Sequence, residues 1–162
     1  MSQKMSNKKL KSGISLCMIV KNEERSLAKC LESVKNLVNQ IVIVDTGSTD
    51  KTIEIGKSFG ADIHHFKWCD DFSLARNFSI NFANYKWILV LDADEILDLQ
   101  STKELKQLSK KFNVPTAFEF RVVSDTGSAD FNESRVIRMF SNGYNIKYKN
   151  KVHEQISASI KE

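Results

Sequence analysis

Four short strand-like segments, at residues 14–20, 41–44, 61–66 and 86–91, three of them dominated by apolar residues and the third shorter and more polar, are separated by segments whose apolar residues recur at helical spacing. A strand buried on both faces reads as a continuous apolar run, not as an alternation. Strands of that kind separated by helices require crossover connections, and so a parallel sheet. The first helix carries Leu27, Cys30, Leu31, Val34, Leu37 and Val38. Ser48 or Thr49 is placed to cap a second helix that carries Ile53 and Phe59 and stops at Gly60. Asp70 or Asp71 is placed to cap a third through Phe72, Ala75, Phe78 and Phe82, and residues 101–112 read as an exposed fourth. After Pro115, the one proline, "TAFEFRVVS", "SRVIRMFS" and "YNIKYKNKVHEQI" read as strands and turns with no helix between them. The expected fold is α/β: a Rossmann-like, mostly parallel sheet with helices on both faces and a mixed or antiparallel C-terminal part.

The 162 residues suffice for one domain, expected over 13–162. Residues 1–12 hold four lysines and no acid, and are expected to be a disordered, solvated tail. Much of the net charge of +4 sits there, so the body is near neutral and offers no electrostatic footprint for nucleic acid. The three cysteines form no CxxC pair, which suits a reducing compartment. The apolar run at 14–20 is too short to span a membrane. The expected location is the cytoplasm, with at most a peripheral contact at the inner face of the membrane.

In an open α/β sheet, ligands sit beyond the carboxyl ends of the strands. Asp45 ends "IVIV" and Asp92 ends "WILVL", while the first strand runs through Val20 toward Glu23. Clustered carboxylates repel one another, and a bound cation is one remedy. Asp92 and Asp94 of "LDADE" are an oxygen-donor pair suited to Mg²⁺ or Mn²⁺, with positions left for diphosphate oxygens. Asp45, before the "TGST" turn, is placed to accept from a nucleobase N–H or a ribose hydroxyl, and Gly47 frees the backbone of that turn. Arg76 in "SLARNFS" suits a diphosphate or a base, or an ion pair with Asp70 or Asp71. His153 is a candidate third metal ligand and Glu154 a candidate general base. His64, His65 and the cysteines read as structural. No Walker lysine and no GxGxxG follows the first strand, which disfavours a P-loop NTPase and a dinucleotide-binding domain.

"SLCMIVKNEE", "IVIVDTGSTDKT", "WCDDFSLARNFS" and "WILVLDADE", in this order, closely resemble the family 2 glycosyltransferases. The resembling subset is bacterial, with lipopolysaccharide-core glucosyltransferases and bacteriocin S-glycosyltransferases. The match is strong over residues 14–95 and weaker over "RVIRMF…KVHEQI". It implies a GT-A fold, a nucleotide-sugar donor (usually a UDP-sugar), a divalent metal (Mn²⁺ or Mg²⁺) and inversion at the anomeric carbon. Carried over by position, Val20, Glu23, Asp45 and Arg76 match the nucleotide side of the site. Asp92 and Asp94 match the DXD pair for ribose and metal–diphosphate, with Asp94 in the catalytic group. His153 matches the late metal ligand. The acidic pair that often supplies the base has no clear counterpart, since Glu119, Asp125, Asp130 and Glu133 are scattered, and Glu154 is the candidate. The acceptor is expected to be a glycan, lipid or peptide.

Two other readings use the same residues. A nucleotidyltransferase also needs paired carboxylates and a metal, but it wants a Gly-rich basic loop where this chain has "VKNEERS". A shortened, non-catalytic nucleotide- or partner-binding domain is the other, because many relatives extend well past the position where this chain stops.

Overall fold

The computed structural model describes residues 9–112, 115–125 and 131–156. Among them six strands form one sheet: β1 (Lys11–Val20), β2 (Gln40–Asp45), β3 (Asp62–His65), β4 (Tyr85–Val90), β5 (Ala117–Asp125) and β6 (Phe131–Ser141). The helices are α1 (Leu27–Val34), α2 (Thr52–Ser58), α3 (Phe72–Ile80) and α4 (Leu99–Lys111). The strand order is β3-β2-β1-β4-β6-β5. β1 runs parallel to β2 and β4, and β2 runs parallel to β3. β6 is antiparallel to both β4 and β5. The mostly parallel sheet with an antiparallel C-terminal part is the expected one.

The central strands are buried on both faces, which is why their sequences run apolar without alternation. Leu16, Met18 and Val20 of β1 join α1 residues Leu27, Cys30, Leu31 and Val34 in one core, with Leu105 of α4 and partly buried Ile55 and Phe59 near α2. On the other face Cys17, Val42, Ile88 and Val90 pack with Phe140, Ile146, Tyr148 and Ile156, against Ile80 and Phe82 around the end of α3. Each fully buried residue of Leu or Met size contributes about 1.5–3 kcal/mol.

Several local expectations shift. β1 begins at Lys11, inside the segment expected to be a tail, while residues 1–8 of that segment lie outside the described residues. α1 ends at Val34, not at Val38, and the chain leaves it through a turn in which the amides of Leu37 and Val38 donate to the Val34 carbonyl (2.8 and 3.1 Å). α2 starts at Thr52, not after Ser48 or Thr49, because Asn22 engages those two residues. The Asn22 amide donates to Ser48 Oγ (3.0 Å), and Asn22 Oδ1 accepts from the Thr49 amide (2.8 Å). "YNIKYKNKVHEQI" is no strand but a loop closed by one antiparallel bridge, Lys149 to Gln155. Of the scattered acids, Glu119 and Glu133 face Arg135 and Arg121 across β5 and β6. Asp130 and the side chain of Asp125 lie outside the described residues.

Candidate active site

From β1 the chain passes through α1 to β2 on one side, while β4 lies against the other side of β1. The carboxyl ends of β1 and β4 therefore diverge at a topological switch point, where open α/β sheets bind ligands. A cleft of about 530 Å³ opens there. Val20, Lys21 and Glu23 line it from the end of β1, Thr46 from β2, and Asp92, Ala93 and Asp94 from β4. Trp68, Phe72 and Arg76 close it from the β3–α3 segment. Trp68 and Phe72 meet edge to face at 4.8 Å, and Trp68 Nε1 donates to Asp70 Oδ1 (2.8 Å). Of the expected site residues, Val20, Glu23, Arg76, Asp92 and Asp94 thus share one cleft. A larger groove, about 1140 Å³, lies against α3 and β6 and carries no acid or histidine in its lining.

Asp71 caps α3, accepting from the Leu74 amide (3.0 Å), and the helix then delivers Arg76 to the end of β4. Arg76 is buried, and its Nη2 donates to Asp92 Oδ1 (2.7 Å) while its Nε donates to Glu154 Oε1 (2.6 Å). The expected alternative pairing with Asp70 or Asp71 is not formed. Arg138 of β6, also buried, donates through Nη2 to Asp92 Oδ2 (2.8 Å) and Glu95 Oε1 (2.5 Å). Glu95 closes the turn by accepting from the Asp92 amide (2.9 Å), and its own amide donates to the Asp92 carbonyl (3.0 Å). Burial opposes the charge on Asp92, but the two guanidiniums outweigh it and hold its carboxyl below the usual carboxylate range. The same carboxylate keeps Arg76 firmly cationic against its own burial. The Tyr148 ring lies 5.6 Å from the Arg76 guanidinium, and burial pushes its hydroxyl up to about 12.

The loop that carries Glu154 is clamped onto α3. The Asn77 side chain pairs with both backbone groups of Tyr148, each at 2.9 Å, and the Phe72 amide donates to the Lys151 carbonyl (3.0 Å). Asn150 and His153 take left-handed backbone conformations (φ 79° and 54°) to make the turn. Such a φ is uncommon outside glycine.

Two expected roles change. Asp45 is buried and not part of the cleft lining, because its carboxylate clasps its own turn. It accepts from the amides of Gly47 (3.1 Å) and Ser48 (3.0 Å), with His65 Nδ1 at 3.4 Å. Gly47 at φ +114° permits that clasp. Burial opposes the Asp45 charge, and bonds from Ser48, Gly47 and His65 outweigh it, so its carboxyl is also held low. The expected metal triad of Asp92, Asp94 and His153 is not assembled. Among the described residues no group of three His, Cys, Asp or Glu could hold a metal ion. The reason is visible at each member: both Asp92 oxygens face arginines, and His153 is exposed in its turn. Of the three, only Asp94 is exposed on the cleft wall. One open carboxylate is a donor set that fits Mg²⁺ or Mn²⁺, which take few protein ligands and complete their shell with water and substrate phosphates.

Sequence reasoning missed Arg138. Its signal was the one arginine inside the apolar stretch "VIRMF", since a charge in a buried strand needs a buried partner. The aromatic wall of Trp68 and Phe72 had no distinguishing spacing. Cys17 and Cys30 are buried and Cys69 exposed, all three as free thiols.

The sequence model described as Glycosyl transferase family 2 matches residues 15–158. A TPR repeat-containing protein of Synechococcus elongatus is 41% identical over 148 residues, covering 91% of this chain and 36% of the relative. The SPbeta prophage-derived glycosyltransferase SunS of Bacillus subtilis is 33% identical over 147 residues, covering 88% and 34%. The chain thus spans about a third of the length of the curated relatives it matches. Among solved structures, S. aureus TarS 1-349 superposes with a TM-score of 0.60 at 14% identity, over 85% of this chain and 50% of that one. Its complex with UDP gives 0.54 at 18% identity, over 61% and 32%. That likeness is one of fold, and the fold is the expected GT-A arrangement. The chain belongs to glycosyltransferase family 2.

Proposed function

We propose that this domain transfers a sugar, with inversion, from a nucleotide-sugar donor to a glycan, lipid or peptide acceptor, and that the donor is UDP-linked. The observation that carries this reading is the cleft at the switch point, where Val20, Glu23, Arg76, Asp92 and Asp94 meet. The UDP complex of TarS, which shares the fold, supports the choice of nucleotide.

Trp68 offers an aromatic face to a nucleobase, and Glu23 offers a carboxylate on the same wall. Glu23 is held in place, with its amide donating to Thr52 Oγ1 (2.7 Å) and its Oε2 accepting from Ser26 Oγ (2.7 Å). Asp45 acts as a positioning residue here, fixing the turn that brings Thr46 to the cleft. Asp94 is the residue that would hold a divalent cation, which supplies charge neutralisation at the departing diphosphate. Arg76 adds fixed positive charge to the same wall. In transfer, a bond forms from the acceptor heteroatom to the anomeric carbon as the bond to the diphosphate oxygen breaks on the opposite face. Glu154 takes the acceptor proton through Oε2, the oxygen that Arg76 leaves free.

Calorimetric titration of UDP with and without Mn²⁺ tests the reading. Wild type should bind UDP in a Mn²⁺-dependent way, and Asp94→Ala should weaken that binding about tenfold or more. Absence of UDP binding by folded protein with Mn²⁺ present would refute a UDP donor. A GDP and CDP panel would then show whether another base is read.

A further inference from the structure

We propose that Arg138 is a positioning residue that withholds Asp92 from the cation, so that the site takes its divalent ion only together with the donor diphosphate. The proposal rests on the donor-site reading above. Arg138 lies outside the cleft lining, on the antiparallel strand β6. One of its nitrogens, Nη2, reaches both Asp92 Oδ2 (2.8 Å) and Glu95 Oε1 (2.5 Å). Glu95 in turn holds the Asp92 amide, and Asp94 sits inside the turn that these bonds close.

The consequence is a division of labour within "DAD". Arg76 holds Oδ1 of Asp92 and Arg138 holds Oδ2, so neither oxygen faces the cleft as an unpaired ligand. Each oxygen also has a guanidinium within 3 Å, a charge that repels a second cation. What the end of β4 offers a divalent ion is then the single carboxylate of Asp94, while Glu23, across the cleft at the end of β1, is tied to Ser26 through Oε2. Affinity for such ions follows the number and charge of oxygen ligands, so one carboxylate binds weakly. A diphosphate brings further anionic oxygens and raises that number at the moment the donor arrives. Without Arg138, Oδ2 of Asp92 is released toward Asp94, and the pair becomes a two-carboxylate chelate that needs no nucleotide.

The test is Mn²⁺ binding, read by electron paramagnetic resonance and calorimetry, without and with UDP. The proteins are wild type, Arg138→Gln and the double variant Arg138→Gln/Asp92→Asn, each checked for folding by circular dichroism. Without UDP, Arg138→Gln should bind Mn²⁺ about tenfold more tightly than wild type, and the double variant should lose the gain. A purely structural arginine would create no such binding. Folded Arg138→Gln with wild-type Mn²⁺ affinity overturns the proposal. If Arg138→Gln does not fold, Asp92→Asn alone decides. Unchanged nucleotide-free Mn²⁺ affinity supports the proposal, and a clear fall, which would make Asp92 a ligand already, overturns it. Wild type that binds UDP with Mn²⁺ while Arg138→Gln gains nothing sinks this proposal alone. Wild type that binds no UDP with Mn²⁺ sinks the donor reading with it.

Discussion

The parallel half, β1 to β4, and the antiparallel C-terminal third contribute to the same site in different ways. The parallel half supplies the groups that face the cleft: Glu23, Arg76, Asp92 and Asp94. The C-terminal third supplies Arg138 and Glu154, which pair with them. The first set follows from local pattern, because strand ends and helix caps fix where those side chains go. The second depends on β6 pairing with β4 and on a loop clamped to α3. Presentation is local here, while charge balance is long-range.

Arg76 is where the two regions can be broken apart with the largest effect. Its side chain is 7% exposed and bonds one carboxylate from each region. Arg76→Ala leaves Asp92 and Glu154 short of a buried partner, which costs about 3–5 kcal/mol. Urea unfolding should show that loss. Hydrogen exchange should show where it falls: the bridging amides of Lys149 and Gln155 should lose protection ahead of those of β1. Uniform loss of protection in both regions would mean that Arg76 serves the global fold and not the junction.

The same division explains what the sequence disclosed. Three of the four parallel strands, β1, β2 and β4, were legible because each is a short, mainly apolar run buried on both faces, which leaves no competing pattern, while the edge strand β3 is short and part-exposed. Asp92 and Asp94 stood out because a carboxylate at the end of a buried strand has few structural uses, and both line the cleft. Asp45 stood out on the same ground, but its carboxylate folds back on Gly47 and Ser48, two and three residues ahead, and lies outside the cleft lining. The start of α2 moved because Asn22, far away in sequence, competes for Ser48 and Thr49. Arg138 and the loop around Glu154 were illegible for a related reason. Periodicity does not encode which buried charge meets which, and a turn built on left-handed Asn150 and His153 carries no glycine to announce it.

Acid sensitivity sharpens the comparison at a smaller scale. Asp45 and Asp92 both have carboxyls held below the usual range. A lowered folded-state value stabilises the protein above the unfolded value, about 3.9 for aspartate, and the stabilisation is lost as pH falls through the folded value. Both aspartates should therefore steepen the loss of stability below about pH 4. The causes that lower them differ, since short-range bonds from its own turn and from His65 act on Asp45, and two arginine charges with their hydrogen bonds act on Asp92. Asp92 is also 39% exposed at its side chain, so salt reaches it. Added salt should shrink the Asp92 contribution and leave that of Asp45. Comparing the pH dependence of urea unfolding for Asp45→Asn and Asp92→Asn, with and without salt, separates them. Equal salt sensitivity would show that one electrostatic field governs both.

The smallest expected effect lies at α4, the helix that joins the two regions. It buries one residue, Leu105, and starts at Asp98, whose Oδ1 accepts from the amides of Gln100 (2.8 Å) and Ser101 (2.9 Å). Removing a cap of this kind costs about 1 kcal/mol. Asp98→Ala should lower the unfolding free energy by that amount. It should leave Mn²⁺-dependent UDP affinity unchanged, because the turn that presents Asp94 is closed by Glu95 and Arg138 and not by the helix after it. A loss of UDP affinity in Asp98→Ala would mean that the start of α4 supports the cleft, and the junction between the two regions would then have to be drawn through the helix as well as through the arginines.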